Sequence, residues 1–598
     1  MKAWSISTTV RNPDRIPDFT AAIEAISGKI WTKETQVSLM YELIRRRLYR
    51  PNSLTEAQKN IYEDSEYEMT TAEAKEIFES QDYKDPPMRG RTAISPVRDM
   101  GLVRLKPVVA LTHLGQALVN GEITLQDTLL NYSLKWEVPA PEHSTFRADA
   151  GYRIKPFIGT LALITEVNDL WSEMGKDPVG LSRDEFNFYV PTLIDYKYIG
   201  DFAQRIISSR IAIRGAAGAA AKQKATVSSL HTHLTTLPHG TDPVTDTDKN
   251  NLGDYGDNTI RYFRNTGFIE FRGSGRFVDI AAASKAQVQL LVDHELYKPI
   301  SYSTADEYLD AMGDVESFVP PWATAEKKAE IKKYLAELLA KEGTDVAPPV
   351  SASPAKISPI RGEDAEIVQL KDALLRARLS KLKTASRTSD FIDTFIDEYS
   401  NLPKKNYAGY LPKPVALEFN TFKAFLSLND ALKVKPNYPL GDDGEPLSTA
   451  PGGGTDLFCE YEHFVLSVEV SMSTGRSQWM MEGQPVQRHL REIEKTSQKP
   501  AFSLFLAPKI HEDTVNTFWV ANVVGYQGKQ QRIVPLEFEF WSQYLVKVRA
   551  RIESGQLKHG EIMKFLESAL PSKGELANSV DWYKRINSNA FVDKLVAS

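Results

Sequence analysis

Asp456 and Glu469 are the residues of this 598-residue chain whose types and spacing speak most directly of chemistry. They lie in the run GGGTDLFCEYEHFVLSVEVSMS, which reads as two adjacent strands. In the second strand Phe464, Leu466, Val468 and Val470 alternate with Val465, Ser467, Glu469 and Ser471, so one carboxylate stands on the polar face of an apolar strand. Asp456 opens the preceding strand after a glycine run, and a hairpin would let the two carboxylates converge on one divalent cation. A hard ion held by two carboxylates can bind a scissile phosphate and activate water, which is the chemistry of a metal-dependent phosphodiesterase. The ordinary alternative is a pair of acidic strand residues with no ion between them.

Other candidates surround this pair. Glu418, in KPVALEFNTFKAFLSL, sits among apolar neighbours on one helix face, with Val415 three residues before it and Phe422 four after. Glu482 and His489 follow the hairpin in a segment broken by Gly483 and Pro485, where Pro485 suits the first turn of a new helix. Their spacing of seven would place them on one side only if the whole segment were a single helix. Gln478, Arg488 and Arg476 are candidate phosphate contacts, with an ordinary surface role preferred for Arg476. Cys459 reads as a core residue and not a nucleophile. His231 and His233 form an HxH pair with no third ligand at a standard spacing, in a simple-composition stretch that reads as a mobile loop, and are set aside as a metal site.

The elements that must position these groups fall into several domains, since 598 residues exceed a single core. One cysteine and no long apolar run argue for a soluble intracellular protein without disulfides or a membrane span. The net charge of -6 does not advertise nucleic-acid binding, so any such surface must be local. Arg45, Arg46, Arg47 and Arg50 form one cluster, and Arg89, Arg91 and Arg98 another. A Pro-, Ser- and charge-rich stretch over 319–363 reads as a linker between residues 1–318 and 364–598. Upstream, segments near 89–122 and 257–281 each run from helix into hairpin, the outline of a winged helix. In the second, Arg261, Arg264, Arg272 and Arg276 sit where phosphate or base contacts would be made. The structural alternative is a helix–hairpin unit with exposed arginines. Amphipathic helices between the two units supply a core, and the region after the linker predicts an α/β domain with a mixed central sheet.

The opening WSISTTVRNPDRI, the segment NTIRYFRNTGFI, the block TDLFCEYEHFVLSVEVSMSTGRSQWMMEGQPVQRH, the strand SLFLAPKI and the strand RIVPLEF together resemble the AlwI-like type IIS restriction endonucleases, a group that includes site-specific nicking enzymes. The resemblance covers most of the chain. It implies a mostly α-helical N-terminal DNA-recognition region joined by a linker to a C-terminal α/β nuclease domain of the PD-(D/E)XK type. Such a protein binds a short asymmetric duplex sequence and cuts outside it. Carried over by residue, Asp456 and Glu469 match the metal-binding carboxylates, Glu418 the acid of the preceding helix, and Glu482 with His489 the remaining active-site positions. Thr455 replaces the motif's proline, and Ser471 stands where the usual lysine would be, so the missing positive charge must come from elsewhere, such as a second metal ion or His489. The implied cofactor is Mg²⁺, as one or two ions, with Mn²⁺ as a substitute. The implied partners are double-stranded DNA, a second nuclease domain in transient association for double-strand cleavage, and a cognate DNA methyltransferase in the same bacterial cytoplasm. A strand-specific nickase and an inactive DNA-binding protein are the rival readings.

Overall fold

The computed structural model describes residues 2–63, 67–141, 146–240, 243–273, 275–342, 358–407, 409–428, 431–441, 443–450, 454–557, 560–572, 574 and 578–597. Two compact units emerge: Met1–Ser53, Thr70–Ala377 and Gly441–Asp443 form the first, and Leu54–Met69, Arg378–Leu440 and Gly444–Ser598 the second.

The first unit is built mainly from helices. Helix Pro156–Glu173 carries an almost uninterrupted apolar run from Pro156 to Ile164, every residue of which is buried. A helix apolar on all sides can only be central. Helix Ile199–Gly215 packs against it, and Trp4, Trp136, Phe157 and Phe263 close the aromatic core around its start, with Trp4 edge-on to Trp136 at 5.5 Å. The N-terminal segment is fixed by backbone contacts, Trp4 N donating to Pro191 O and the Tyr262 hydroxyl to Val10 O.

Both expected helix–hairpin segments fold in that order. Helix Pro86–Asp99 leads to β1 (Val103–Arg104) and β2 (Ala110–Leu111), which pair antiparallel. Beyond them, β3 (Leu181–Ser182) is the third strand of a sheet whose other two follow helix Asp246–Asn265: β4 (Ile269–Arg272) and β5 (Phe277–Ile280), in the order β3-β5-β4. Ser274, at the centre of the expected GSG turn, lies outside the described residues. In the first segment Gly90 lets helix Pro86–Asp99 approach helix Lys33–Arg45 closely, for a Cβ there would lie 2.1 Å from Gln36 O. Gly90→Ala should therefore lower the stability of this unit by roughly 1–3 kcal/mol, the usual cost of overpacking, measured as a lower urea midpoint. An unchanged midpoint would show that the two helices separate freely.

Two expectations differ from the fold. The stretch 319–363 is not a linker throughout. The Trp322 side chain is fully buried and its indole donates to Arg361 O, helix Ala325–Lys341 buries Ile331 and Leu335, and the unit boundary falls inside helix Ala365–Ala385. Residues 343–357, which hold most of the Pro/Ser-rich text, lie outside the described residues. The simple stretch around 218–236 is the helix Gly218–Thr236 and not a loop, as its alanine content favours. Within it His233 is a core residue, stacked on Tyr189 at 3.8 Å with Nε2 3.1 Å from the Thr192 hydroxyl, and burial holds its pKa down to about 3.

The second unit holds a five-stranded mixed sheet in the order β10-β9-β8-β7-β6. β6 is Lys433–Pro436, β7 Leu457–Glu460, β8 Val465–Val470, β9 Ala501–Ala507 and β10 Ile533–Glu537. β6, β7 and β8 run antiparallel in turn, whereas β8, β9 and β10 are parallel. Helix Arg476–Thr496 links β8 to β9 and helix Glu512–Val523 links β9 to β10, as parallel neighbours require a crossover. β8 and β9 are buried on both faces, β9 along its whole length, and Cys459 is a buried core residue as expected.

Candidate active site

The β7–β8 hairpin sets the geometry. Leu457 pairs with Val468, so Asp456, one residue earlier, faces Glu469, one residue later, on the same side of the sheet. The ladder continues through them, since Asp456 O accepts from Asn437 N at 2.9 Å and the Asp456 carboxylate accepts from Val470 N at 2.8 Å. Successive side chains alternate between faces, so Lys435 and Asn437 of the β6 end, Asp456 and Phe458, and Ser467, Glu469 and Ser471 all share this face. The polar face of β8 is not open to water, for Ser467 is fully buried and Glu469 is 4% exposed.

Helix Arg476–Thr496 covers that face through Gln478, Gly483, Val486, His489 and Leu490. The expected break at Gly483 and Pro485 does not occur, because the helix runs through both. A Cβ at Gly483 would lie 3.0 Å from the Trp479 side chain of the same helix and at ordinary contact distance, 3.6 Å, from Thr517 of the neighbouring helix. The Gln487 side chain donates to Gly483 O at 2.7 Å beside the proline. Continuity places Glu482 and His489 two turns apart on one side, roughly 20° from alignment. His489 Nδ1 lies 3.1 Å from a Glu469 oxygen, and Glu482 accepts from the Ser471 hydroxyl.

Hydroxyls hold Glu469 from below. The Ser467 hydroxyl, with one proton for two acceptors, reaches its carboxylate at 3.1 Å and the Thr455 hydroxyl at 2.7 Å. Thr455 in turn donates to Leu457 O and Val468 O, tying both strands of the hairpin. Thr455 thus does structural work at the position where the resemblance expects proline. The support from Ser467 was not singled out from sequence, where a buried serine between Leu466 and Val468 shows only as an interruption of an apolar strand.

The electrostatics are those of crowded anions. Burial, and then the charge of Glu469, push the Asp456 carboxyl well above the usual range. Burial and then Glu482 do the same to Glu469, and burial raises Glu482. His489 is held below the ordinary imidazole value by burial and then by Arg488. Its Nε2 is buried without a hydrogen-bond partner. Each carboxyl disfavours its neighbour's charge, a penalty that a divalent cation between Asp456 and Glu469 would reverse.

Glu418 lies on the helix Lys413–Leu428. It is buried, and its carboxylate accepts from Ala450 N at 2.8 Å, fastening the chain six residues before Asp456. Among the described residues no group of three or more His, Cys, Asp or Glu side chains is arranged to hold a metal ion. Residues 451–453, which include the start of the glycine run, lie outside the described residues. Gln478 is not a phosphate contact: it is fully buried, donates to Ser473 O and Lys509 O, and accepts from His511 N. Arg476 is exposed, as its surface reading expected, and Arg488 is half-buried.

The arginines of the first unit are mostly committed to internal contacts. Arg264 is a correction: its side chain is 4% exposed, paired at 2.9 Å with Asp443 of the same unit and stacked over Phe271 at 4.3 Å, so it does not reach out to a ligand. Arg261 pairs with Asp257 at 2.8 Å and Arg272 with Asp279 at 3.1 Å, each retaining partial exposure, while Arg276 is exposed. Arg89 lies over the Tyr83 ring, Arg91 bridges Asp85 and Gln36, and Arg98 pairs with Asp99. Arg45 and Arg46 both pair with Glu42.

The AlwI restriction endonuclease family model matches residues 98–544, three quarters of the chain. Among solved structures, the small subunit of the heterodimeric restriction endonuclease R.BspD6I shows 25% identity over 32% of this chain and 97% of its own, with a TM-score of 0.27. Restriction endonuclease FokI shows 10% identity over 95% of this chain and 99% of its own, with a TM-score of 0.21. No curated protein matches the chain.

Proposed function

Because the chain belongs to the AlwI restriction endonuclease family, we propose that it is a type IIS enzyme that binds a short asymmetric duplex sequence and hydrolyses phosphodiesters outside it at the Asp456–Glu469 cluster. The observation that supports this reading is the facing pair of carboxylates on the β7–β8 hairpin, with Glu482 and His489 brought over them by one helix.

Asp456 and Glu469 are the residues that would hold Mg²⁺, or Mn²⁺ in its place. A bound ion supplies Lewis-acid stabilisation of the phosphate and lowers the pKa of water. The chain's own groups do the rest. Ser467 and Thr455 fix Glu469, and Val470 N fixes Asp456, so neither carboxylate needs to reorient on binding. Donation from His489 Nδ1–H to Glu469 orients the imidazole against that carboxylate and leaves the buried Nε2 as an acceptor. Ser471, at the motif's lysine position, donates to Glu482 and brings no charge. The arrangement is thus a PD-(D/E)XK-type site with its lysine replaced.

The helix–hairpin segments of the first unit are the proposed DNA readers, as winged helices. Arg276 and the partly exposed Arg89, Arg91, Arg98, Arg261 and Arg272 remain as their candidate contacts. Among the described residues no helix is long and apolar enough to cross a membrane. A cytoplasmic location and a protective methyltransferase belong to the same proposal. One cluster per chain cuts one strand, so double-strand cleavage requires two copies on DNA. Supercoiled plasmid incubated with Mg²⁺ should become linear, and with EDTA should stay supercoiled. Open circles alone would make the enzyme a nickase, and no change with Mg²⁺ would overturn the nuclease reading.

A further inference from the structure

The lysine absent from position 471 leaves the site short of a fixed positive charge, and the edge strand offers one. Lys435, on β6, pairs in register with Phe458, which pairs with Ser467. Lys435 therefore lies on the same face of the sheet as Asp456 and Glu469. It is exposed, and among the described residues no carboxylate pairs with it. Lys433, two residues earlier on the same face, differs because Glu460 stands opposite it.

Lys435, Asn437, Thr455, Phe458, His489 and Glu492 line a cavity of about 330 Å³ beside the carboxylate cluster. His489 connects the two, with Nδ1 on Glu469 and the ring at the cavity wall. Its side chain is 9% exposed, and the buried Nε2 has no partner. Gly454 keeps the floor open, since a Cβ there would lie 3.2 Å from the Asn437 amide nitrogen. The cavity thus joins a free ammonium and a side-chain amide, with only Glu492, itself exposed, as a counter-charge.

We propose that Lys435 is a catalytic residue that contacts a non-bridging oxygen of the DNA phosphate undergoing attack, taking the electrostatic role of the missing motif lysine, with Asn437 as a second donor. This rests on the nuclease reading above. A phosphodiester entering beside Asp456, Glu469 and Glu482 meets three carboxyl groups, and a mobile point charge approaching from the sheet edge offsets the negative charge that builds up on the phosphate oxygens. Lysine suits the place because its stem reaches across a cleft without requiring a planar partner.

The test compares Lys435→Gln, Lys435→Arg and Asp456→Asn on a supercoiled plasmid that the unaltered protein cuts. Lys435→Gln should cut about 100-fold more slowly at saturating DNA, in the range seen on removing one transition-state donor, while Lys435→Arg recovers to within about tenfold of the unaltered rate. With Ca²⁺ in place of Mg²⁺, binding of the same DNA by Lys435→Gln should depend on salt with a slope smaller by about one, the signature of a lost phosphate contact. A Lys435→Gln rate within threefold of normal, equal impairment of the Gln and Arg variants, or an unchanged salt slope would overturn the assignment. Asp456→Asn separates the two levels. If it still cuts, the nuclease reading itself fails, whereas an inactive Asp456→Asn beside a fully active Lys435→Gln removes only the role of Lys435.

Discussion

Asp456→Asn should reduce cleavage by at least a thousandfold, about 4 kcal/mol of transition-state stabilisation, while leaving DNA binding within twofold. The asparagine oxygen can still accept from Val470 N, so the hairpin keeps its shape and only the charge is lost. The same change should make the protein more stable when no divalent ion is present, because it relieves the repulsion between Asp456 and Glu469. The pH dependence has a definite sign. A carboxyl whose pKa is raised in the folded chain favours folding below its ordinary range and opposes it as pH climbs through the raised value. The stability advantage of asparagine should therefore be absent in acid and grow toward neutral pH. Thermal unfolding gives an independent check, since added Mg²⁺ should raise the midpoint of the unaltered protein and not that of the variant. Cutting within tenfold of normal, or an equal Mg²⁺ shift in both proteins, would remove Asp456 from the ion site.

Arg264→Ala should destabilise the first unit by about 3 kcal/mol, the cost of leaving a buried partner charge unpaired. Asp443, 11% exposed at its side chain, would lose its counter-ion, and Phe271 the guanidinium above its ring. Any fall in DNA affinity should follow from lost stability, with the salt dependence of binding unchanged because no phosphate contact has been removed. Removing both charges, in the double variant Arg264→Met with Asp443→Asn, should cost less than the single change. An Arg264→Ala protein with a normal unfolding midpoint and a salt slope smaller by one would restore Arg264 as a DNA contact.

Arg264 also illustrates where sequence runs out. A cation in a helix preceding a hairpin looks the same whether it meets a phosphate or a carboxylate, and Asp443 is too distant in the chain for any local pattern to couple them. The carboxylate hairpin was legible because strand alternation and a glycine run are local signals, and alternation alone puts Glu469 on the polar face. β6 was not, because KVKP is short, charged and ends in proline, the composition of an edge strand. Without β6 neither Lys435 nor the adjoining cavity could be placed. The helix carrying Glu482 and His489 was obscured by Gly483 and Pro485, residues that usually interrupt a helix but that tertiary packing against Thr517 and the Gln487 side chain accommodate here.

The division of the chain has a further consequence for anyone wishing to graft the cutting half onto a different reader. Leu54–Met69, far upstream of the sheet, belongs to the second unit, and its helix Glu56–Glu63 buries Gln58 and Tyr62 while packing on helix Arg476–Thr496. That helix also carries Glu482 and His489, so a fragment beginning at Arg378 uncovers part of the scaffold beneath the proposed catalytic groups. A transplantable cutter cannot be excised by one scission and must bring its upstream strap along.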